Sequence, residues 1–81
     1  MTVTVKLFAW LSDCAGVSVC RVTLPELTCA SDATRALAVR YPALGTKLAQ
    51  VRPAVNLSYA SWDTVLHDGD ELALIPPVSG G

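Results

Sequence analysis

The sequence predicts an α+β roll, a mixed sheet with helices on one face. Three observations predict it. Residues 2–10 and 18–24 alternate with a period of two and are rich in β-branched and aromatic side chains, the pattern of half-buried strands. Between positions 33 and 51 the apolar residues recur at spacings of three and four instead, a helical period. Beyond Pro53 two short apolar runs return to the strand pattern, divided by a turn. A hairpin, a helical crossover and returning strands place the helices over one sheet face.

Each element follows in order. In the first strand Val3, Val5 and Leu7 share one face, and Thr4, Lys6, Phe8 and Trp10 the other. Residues 13–16 carry turn signals, and the second strand folds back with Cys20, Val22 and Leu24 on one side. Pro25 ends it, because proline cannot donate to the ladder. Ser31 and Asp32 are N-cap candidates for a helix on which Ala33, Leu37 and Tyr41 repeat until Pro42. Leu44, Leu48 and Val51 predict a second helical stretch that stops before Pro53. Residues 54–59 read as one strand with Val55 and Leu57 on a shared face. His67-Asp68-Gly69-Asp70 is a turn, and 71–75 is a last strand closed by Pro76-Pro77. The expected division is a domain over 1–76 and a tail over 77–81.

Length and charge narrow the function. The chain has 81 residues, 52% of them hydrophobic, and a net charge of -1. Without a basic stripe, a nucleic-acid backbone is a poor partner. A domain this small buries only roughly 60% of its unfolded surface, so part of the apolar content is available for docking on another protein. No apolar stretch reaches the ~18 residues of a membrane span. Residues 1–20 lack a basic n-region, and Lys6 and Asp13 interrupt their apolar run, unlike a secretory signal. A cytoplasmic, soluble chain starting at its own first strand is expected. Cys14, Cys20 and Cys29 are odd in number and form no CxxC pair, so neither a closed disulfide framework nor a metal site is expected.

The side chains of an ordinary enzyme are missing. The one histidine, His67, sits in a turn, and no nucleophile-base set assembles around it. Asp68, Asp70 and Glu71 cluster there without the spacing of a calcium loop. The chemistry lies instead in Pro76-Pro77-Val78-Ser79-Gly80-Gly81. Two prolines stiffen the exit from the last strand by fixing φ. Two glycines make a tip slim enough for a channel that would exclude any Cβ. From Pro77 to Gly81 the backbone spans at most about 18 Å, enough to carry a free carboxylate into a partner's active site. Phe8 alternates away from Val3, Val5 and Leu7, and Ile75 away from Leu72 and Leu74. Phe8, Ile75 and Pro76 are therefore the candidate docking residues beside the tail.

The block Asp68-Gly69-Asp70-Glu71, a short apolar strand and Pro76-Pro77-Val78-Ser79-Gly80-Gly81 resembles the end of the small-subunit family of molybdopterin synthase (MoaD). The segment Val5-Lys6-Leu7-Phe8-Ala9 resembles that family's first strand, and length and element order agree along the chain. The resemblance implies a β-grasp, ubiquitin-like fold. It implies that the carboxylate of Gly81 is adenylated by a separate activating enzyme that uses ATP, then converted to a thiocarboxylate by a sulfur donor. It further implies that Pro77, Val78, Ser79 and Gly80 thread the large synthase subunit, in a heterotetramer with two copies of each chain. There the sulfur passes to a cyclic pyranopterin precursor and builds the dithiolene of molybdopterin. This chain would bind no cofactor or metal and would be a sulfur-donating subunit rather than a complete enzyme. A thiamine-pathway sulfur carrier, a ubiquitin-like protein modifier and a β-grasp interaction module with a passive tail are the rival readings.

Overall fold

The computed structural model describes residues 1–77; the tail positions Val78, Ser79, Gly80 and Gly81 lie outside the described residues. Five strands form one mixed sheet: β1 (Thr2–Leu7), β2 (Val19–Thr23), β3 (Arg52–Val55), β4 (Ser58–Tyr59) and β5 (Glu71–Ile75), in the order β2-β1-β5-β3-β4. β1 pairs antiparallel with β2 and parallel with β5, and β3 closes antiparallel on β5. The last strand thus lies in the middle of the sheet. A helix α2 (Ala30–Arg40) and a 3-10 segment (Pro42–Gln50) supply the crossover. This is the β-grasp arrangement implied by the resemblance.

The period-two alternation holds. Val3, Val5, Leu7, Leu72 and Leu74 are buried on the inner face. They meet Leu37 of α2, Leu44 of the 3-10 segment, and Leu66 in one cluster. Cys20 and Leu24 join the same cluster, with Val22 packed at its margin. Burial among these side chains pushes the Cys20 thiol up, with the Arg40 charge opposing it weakly.

Four local expectations need correction. Residues 13–16 are not a simple turn: a short helix α1 (Trp10–Ala15) stands between β1 and β2, ended by Gly16 with φ 79°. Trp10 therefore leaves the sheet; Ala9, at φ 52°, breaks the extended path before it. Six residues are too few for an isolated helix. Burial of Leu11 anchors it, and Lys47 Nζ donates to Cys14 Sγ at 3.3 Å, joining it to the 3-10 segment.

α2 begins at Ala30 with Cys29 as N-cap, so Ser31 and Asp32 lie inside its first turn. The free N–H groups of a helix start need acceptors. Here Ala30 N donates to Thr64 O at 2.9 Å and Ser31 N to Trp62 O at 3.0 Å. A distant loop does the work of a side-chain cap.

The second helical stretch is 3-10 rather than α, with Leu44 buried, Leu48 half-buried and Val51 buried just after it. Gly45 inside it disfavours the α form, whereas Pro42 stands in the first turn, where proline is tolerated. Residues 54–59 are two strands, not one. Val55 pairs with Ser58 across a two-residue turn, Asn56-Leu57. Val55 packs against the core, while Leu57 projects into solvent.

The 67–70 turn forms as read, and its carboxylates have structural work. Asp68 Oδ1 accepts from Thr2 N at 2.7 Å, and Gly69 N donates to Thr2 O at 2.9 Å. Gly69 has φ 86°, a region that glycine enters without steric cost. Asp70 accepts from Asn56 Nδ2 at 3.0 Å and from His67 N at 2.8 Å. These two bonds, the Asn56 amide first, hold the Asp70 carboxyl below the usual carboxylate range. A depressed carboxyl pKa stabilises the fold fully above the unfolded value, about pH 4. That contribution is lost as pH falls through the lowered folded value. Asp70→Asn should therefore melt at a lower temperature than the parent at pH 7, with the gap closing toward pH 2. A gap of constant size across a melting series from pH 7 to pH 2 would refute the assignment.

Candidate functional site: the outer sheet face and the tail exit

The helices cover only the inner face, so the outer face is read directly from the strand register. At the tail end a row runs across Phe8, Ile75 and Arg52. Arg52 is opposite Ile75, and Phe8 follows the Leu7–Leu74 pair. The next row is Val19, Lys6, Ala73, Ala54 and Tyr59. Between these rows lies a shallow groove of about 280 Å³ lined by Lys6, Phe8, Ala54, Leu57, Tyr59, Glu71, Ala73 and Ile75. Ala54 and Ala73 are buried and small, and form its floor. Phe8 is 46% exposed and Tyr59 70% exposed, so this is apolar surface left in water by the isolated domain.

One pair of charges at the groove is matched, and a neighbouring cation is stacked on an aromatic ring. Lys6 Nζ lies 3.3 Å from Glu71 Oε2, both side chains partly exposed. The Arg52 guanidinium sits over the Tyr59 ring, 5.9 Å from its centroid. A partner can cover matched charges without stranding one.

Ile75 and Pro76 are half-buried and Pro77 is exposed. The chain therefore leaves the sheet from its central strand, at the edge of the apolar row. His67 lies at the other end of β5. The five-residue strand puts roughly 16 Å between the turn and the tail exit. Among the described residues no group of His, Cys, Asp or Glu is arranged to hold a metal ion, and no helix is long and apolar enough to cross a membrane. The described domain can present a stiffened strand end and an apolar face.

Phe8 and Ile75 thus share the outer groove, as the alternation required, and Pro76 follows Ile75 half-buried at the strand end; Val78, Ser79, Gly80 and Gly81 lie outside the described residues. Sequence reasoning missed Arg52, Leu57, Tyr59 and Val19 as members of this face. Asn56 was the available signal: asparagine tolerates the left-handed turn that splits 54–59 and carries Tyr59 onto the outer face.

Comparison with known proteins agrees with this architecture. Residues 5–81 match the model of the ThiS family. The molybdopterin synthase sulfur carrier subunit of Mycobacterium tuberculosis is 50% identical over 42 residues, covering 52% of this chain and 51% of that protein, about half its length. The human molybdopterin synthase sulfur carrier subunit is 33% identical over 98% of this chain and 93% of its own. A crystal structure of small archaeal modifier protein 1 from Haloferax volcanii superposes with a TM-score of 0.92 at 34% identity, covering 100% of both chains. The complex of subunits 1 and 2 of the molybdopterin-converting factor from Helicobacter pylori contains a chain matching with a TM-score of 0.71 at 27% identity, again over 100% of both. The shared β-grasp sheet and the match along nearly the whole chain lead to one conclusion: this chain belongs to the ThiS family and is a sulfur carrier of the MoaD/ThiS type.

Proposed function

We propose that this chain is the sulfur-carrier small subunit of molybdopterin synthase, working in the cytoplasm with its C-terminal carboxylate on Gly81 as the reactive group. The observation that carries the reading is the placement of β5. The central strand runs straight into Pro76-Pro77 beside an apolar face with matched charges. A partner that docks on Phe8, Ile75 and Pro76 receives the tail in a defined direction. The named relatives and the two-subunit complex from H. pylori support a large synthase subunit as that partner; the assembly we propose holds two copies of each chain.

The chemistry follows from the end group. An α-carboxyl has a pKa of about 3.3–3.7, so at neutral pH Gly81 carries an anion, unreactive toward acyl substitution. A separate activating enzyme uses ATP to form the acyl-adenylate, releasing pyrophosphate. Sulfur from a donor then displaces AMP, leaving a thiocarboxylate. Its ionised sulfur is a soft nucleophile, as thiolates are. Pro77, Val78, Ser79 and Gly80 thread the large subunit, where the sulfur passes to the cyclic pyranopterin precursor and forms the dithiolene. This chain holds no cofactor in that scheme.

Incubation with an activating enzyme, ATP and a sulfur donor should exchange one oxygen for sulfur at Gly81, visible in the intact mass. Unchanged mass, with an activating enzyme that modifies another carrier, defeats the reading. The likeness to small archaeal modifier protein 1 favours a second reading, in which the activated carboxylate acylates a lysine. Isopeptide-linked products in place of a sulfurated pterin are its mark.

A further inference from the structure

The β3–β4 hairpin turns through Asn56 and Leu57, at φ 49° and 71°. Positive φ at both central positions of a two-residue hairpin loop defines a type I′ turn, which favours glycine at the second. Asn56 suits the first position, because a short polar side chain tolerates the left-handed region. Its amide also fastens the turn, donating to Asp70 Oδ1 while its Oδ1 accepts from Glu71 N. Leu57 does not suit the second. It brings a Cβ into the left-handed region, which disfavours any L side chain. Burial does not compensate, because Leu57 is 89% exposed, the highest value among the exposed large hydrophobic residues described. The isolated domain thus carries both backbone strain and apolar surface in water at Leu57, as it also does at Leu27 (φ 67°, 77% exposed), but only Leu57 lines the outer groove. Strain retained without an intramolecular return points to function.

The position of Leu57 says which function. It forms one wall of the outer groove, beside Lys6 and Glu71, and extends the apolar face past the margin of the sheet. Lys6 and Glu71 neutralise one another there, so the matching surface is an apolar one rather than a charged one. We propose that Leu57 is an anchor residue, which seats in an apolar socket of the large-subunit partner when that partner covers the outer face. The proposal rests on the docking reading given above.

Two substitutions test it, with Phe8→Ala as reference: Leu57→Gly, which relieves the turn, and Leu57→Gln, which keeps a Cβ and removes the apolar end. Melting of the free chain and calorimetric titration against the large synthase subunit are the measurements. Leu57→Gly should raise the Tm by roughly 2–5 °C while weakening the Kd by about tenfold or more. Leu57→Gln should leave the Tm nearly unchanged and weaken the Kd comparably. Parent-like affinity of both variants, with Phe8→Ala weakened, overturns the proposal and leaves the docking reading standing. Parent-like affinity of all three removes the docking reading and this proposal together. A lower Tm for Leu57→Gly shows that Leu57 serves the fold, and overturns the proposal as well. So does self-association of the parent that Leu57→Gly abolishes while large-subunit affinity is unchanged, since the occupant is then a second copy.

Discussion

Deleting Gly81 should leave a folded chain that binds its partner and transfers no sulfur. The deletion withdraws the terminal carboxylate by about 3.5 Å. Group transfer between a bound donor and a bound acceptor is sensitive on a finer scale, since a 1 Å misplacement can cost about 100-fold. Conversion of the pterin precursor in a single turnover should therefore fall by at least about 100-fold. Adding a residue after Gly81 should have a similar effect, by overshooting the centre or jamming the channel. Gly80→Val should fail for another reason. A β-branched side chain stiffens the backbone and widens the segment that must thread. The core residues of the sheet and of α2 are far along the chain from all three changes. The outer face, with Phe8, Ile75 and Tyr59, is also untouched. Melting temperature and partner affinity should stay near the parent values. Turnover by the Gly81 deletion at the parent rate would remove the terminal carboxylate from the mechanism, and the proposed function with it.

Leu72→Ala and Phe8→Ala should separate stability from docking. Leu72 is fully buried on β5, flanked by Val5 of β1 and Val55 of β3 in the register. Truncating a buried leucine costs about 2–5 kcal/mol, against a total stability of about 5–15 kcal/mol for ordinary domains. At about 4–8 °C per kcal/mol for a chain this short, the Tm should drop by tens of degrees, with partner binding lost through unfolding. Phe8 is 46% exposed at the end of β1, so Phe8→Ala should cost the isolated fold little. A buried interface anchor costs about 2 kcal/mol or more on truncation, which corresponds to a Kd weakened roughly 30-fold. Thermal melting together with titration against the large subunit distinguishes the two effects. A steep loss of Tm for Phe8→Ala, with parent-like binding of the fraction still folded, would place Phe8 in the core rather than at the interface.

Legibility in the sequence followed the range of the interaction responsible. The faces of β1, β2 and β5 were readable because alternation is a local property, and Val3, Val5, Leu7, Leu72 and Leu74 are buried as read. Helix α2 was readable from Ala33, Leu37 and Tyr41, yet its start was not. Ser31 and Asp32 carry the chemistry of an N-cap, but the carbonyls of Trp62 and Thr64 already satisfy the first N–H groups. Those acceptors are some thirty residues away along the chain, beyond the reach of any local motif.

Composition, period and end group together determined the α+β roll, the outward placement of Phe8 and Ile75, and a functional hypothesis centred on the tail. They could do so because burial pattern is written into adjacent residues, and because a domain with one histidine in a turn has few other reactive groups. Tertiary structure decided the rest. It put β5 between β1 and β3, so that the tail leaves from the centre of the sheet. It set Arg52 over Tyr59 and Lys6 against Glu71. It also held Asn56-Leu57 in a left-handed turn by fastening Asn56 to Asp70 and Glu71. Each of these depends on which strands become neighbours. Strand neighbours are chosen by burying the whole apolar face at once, a global requirement that no window of sequence contains.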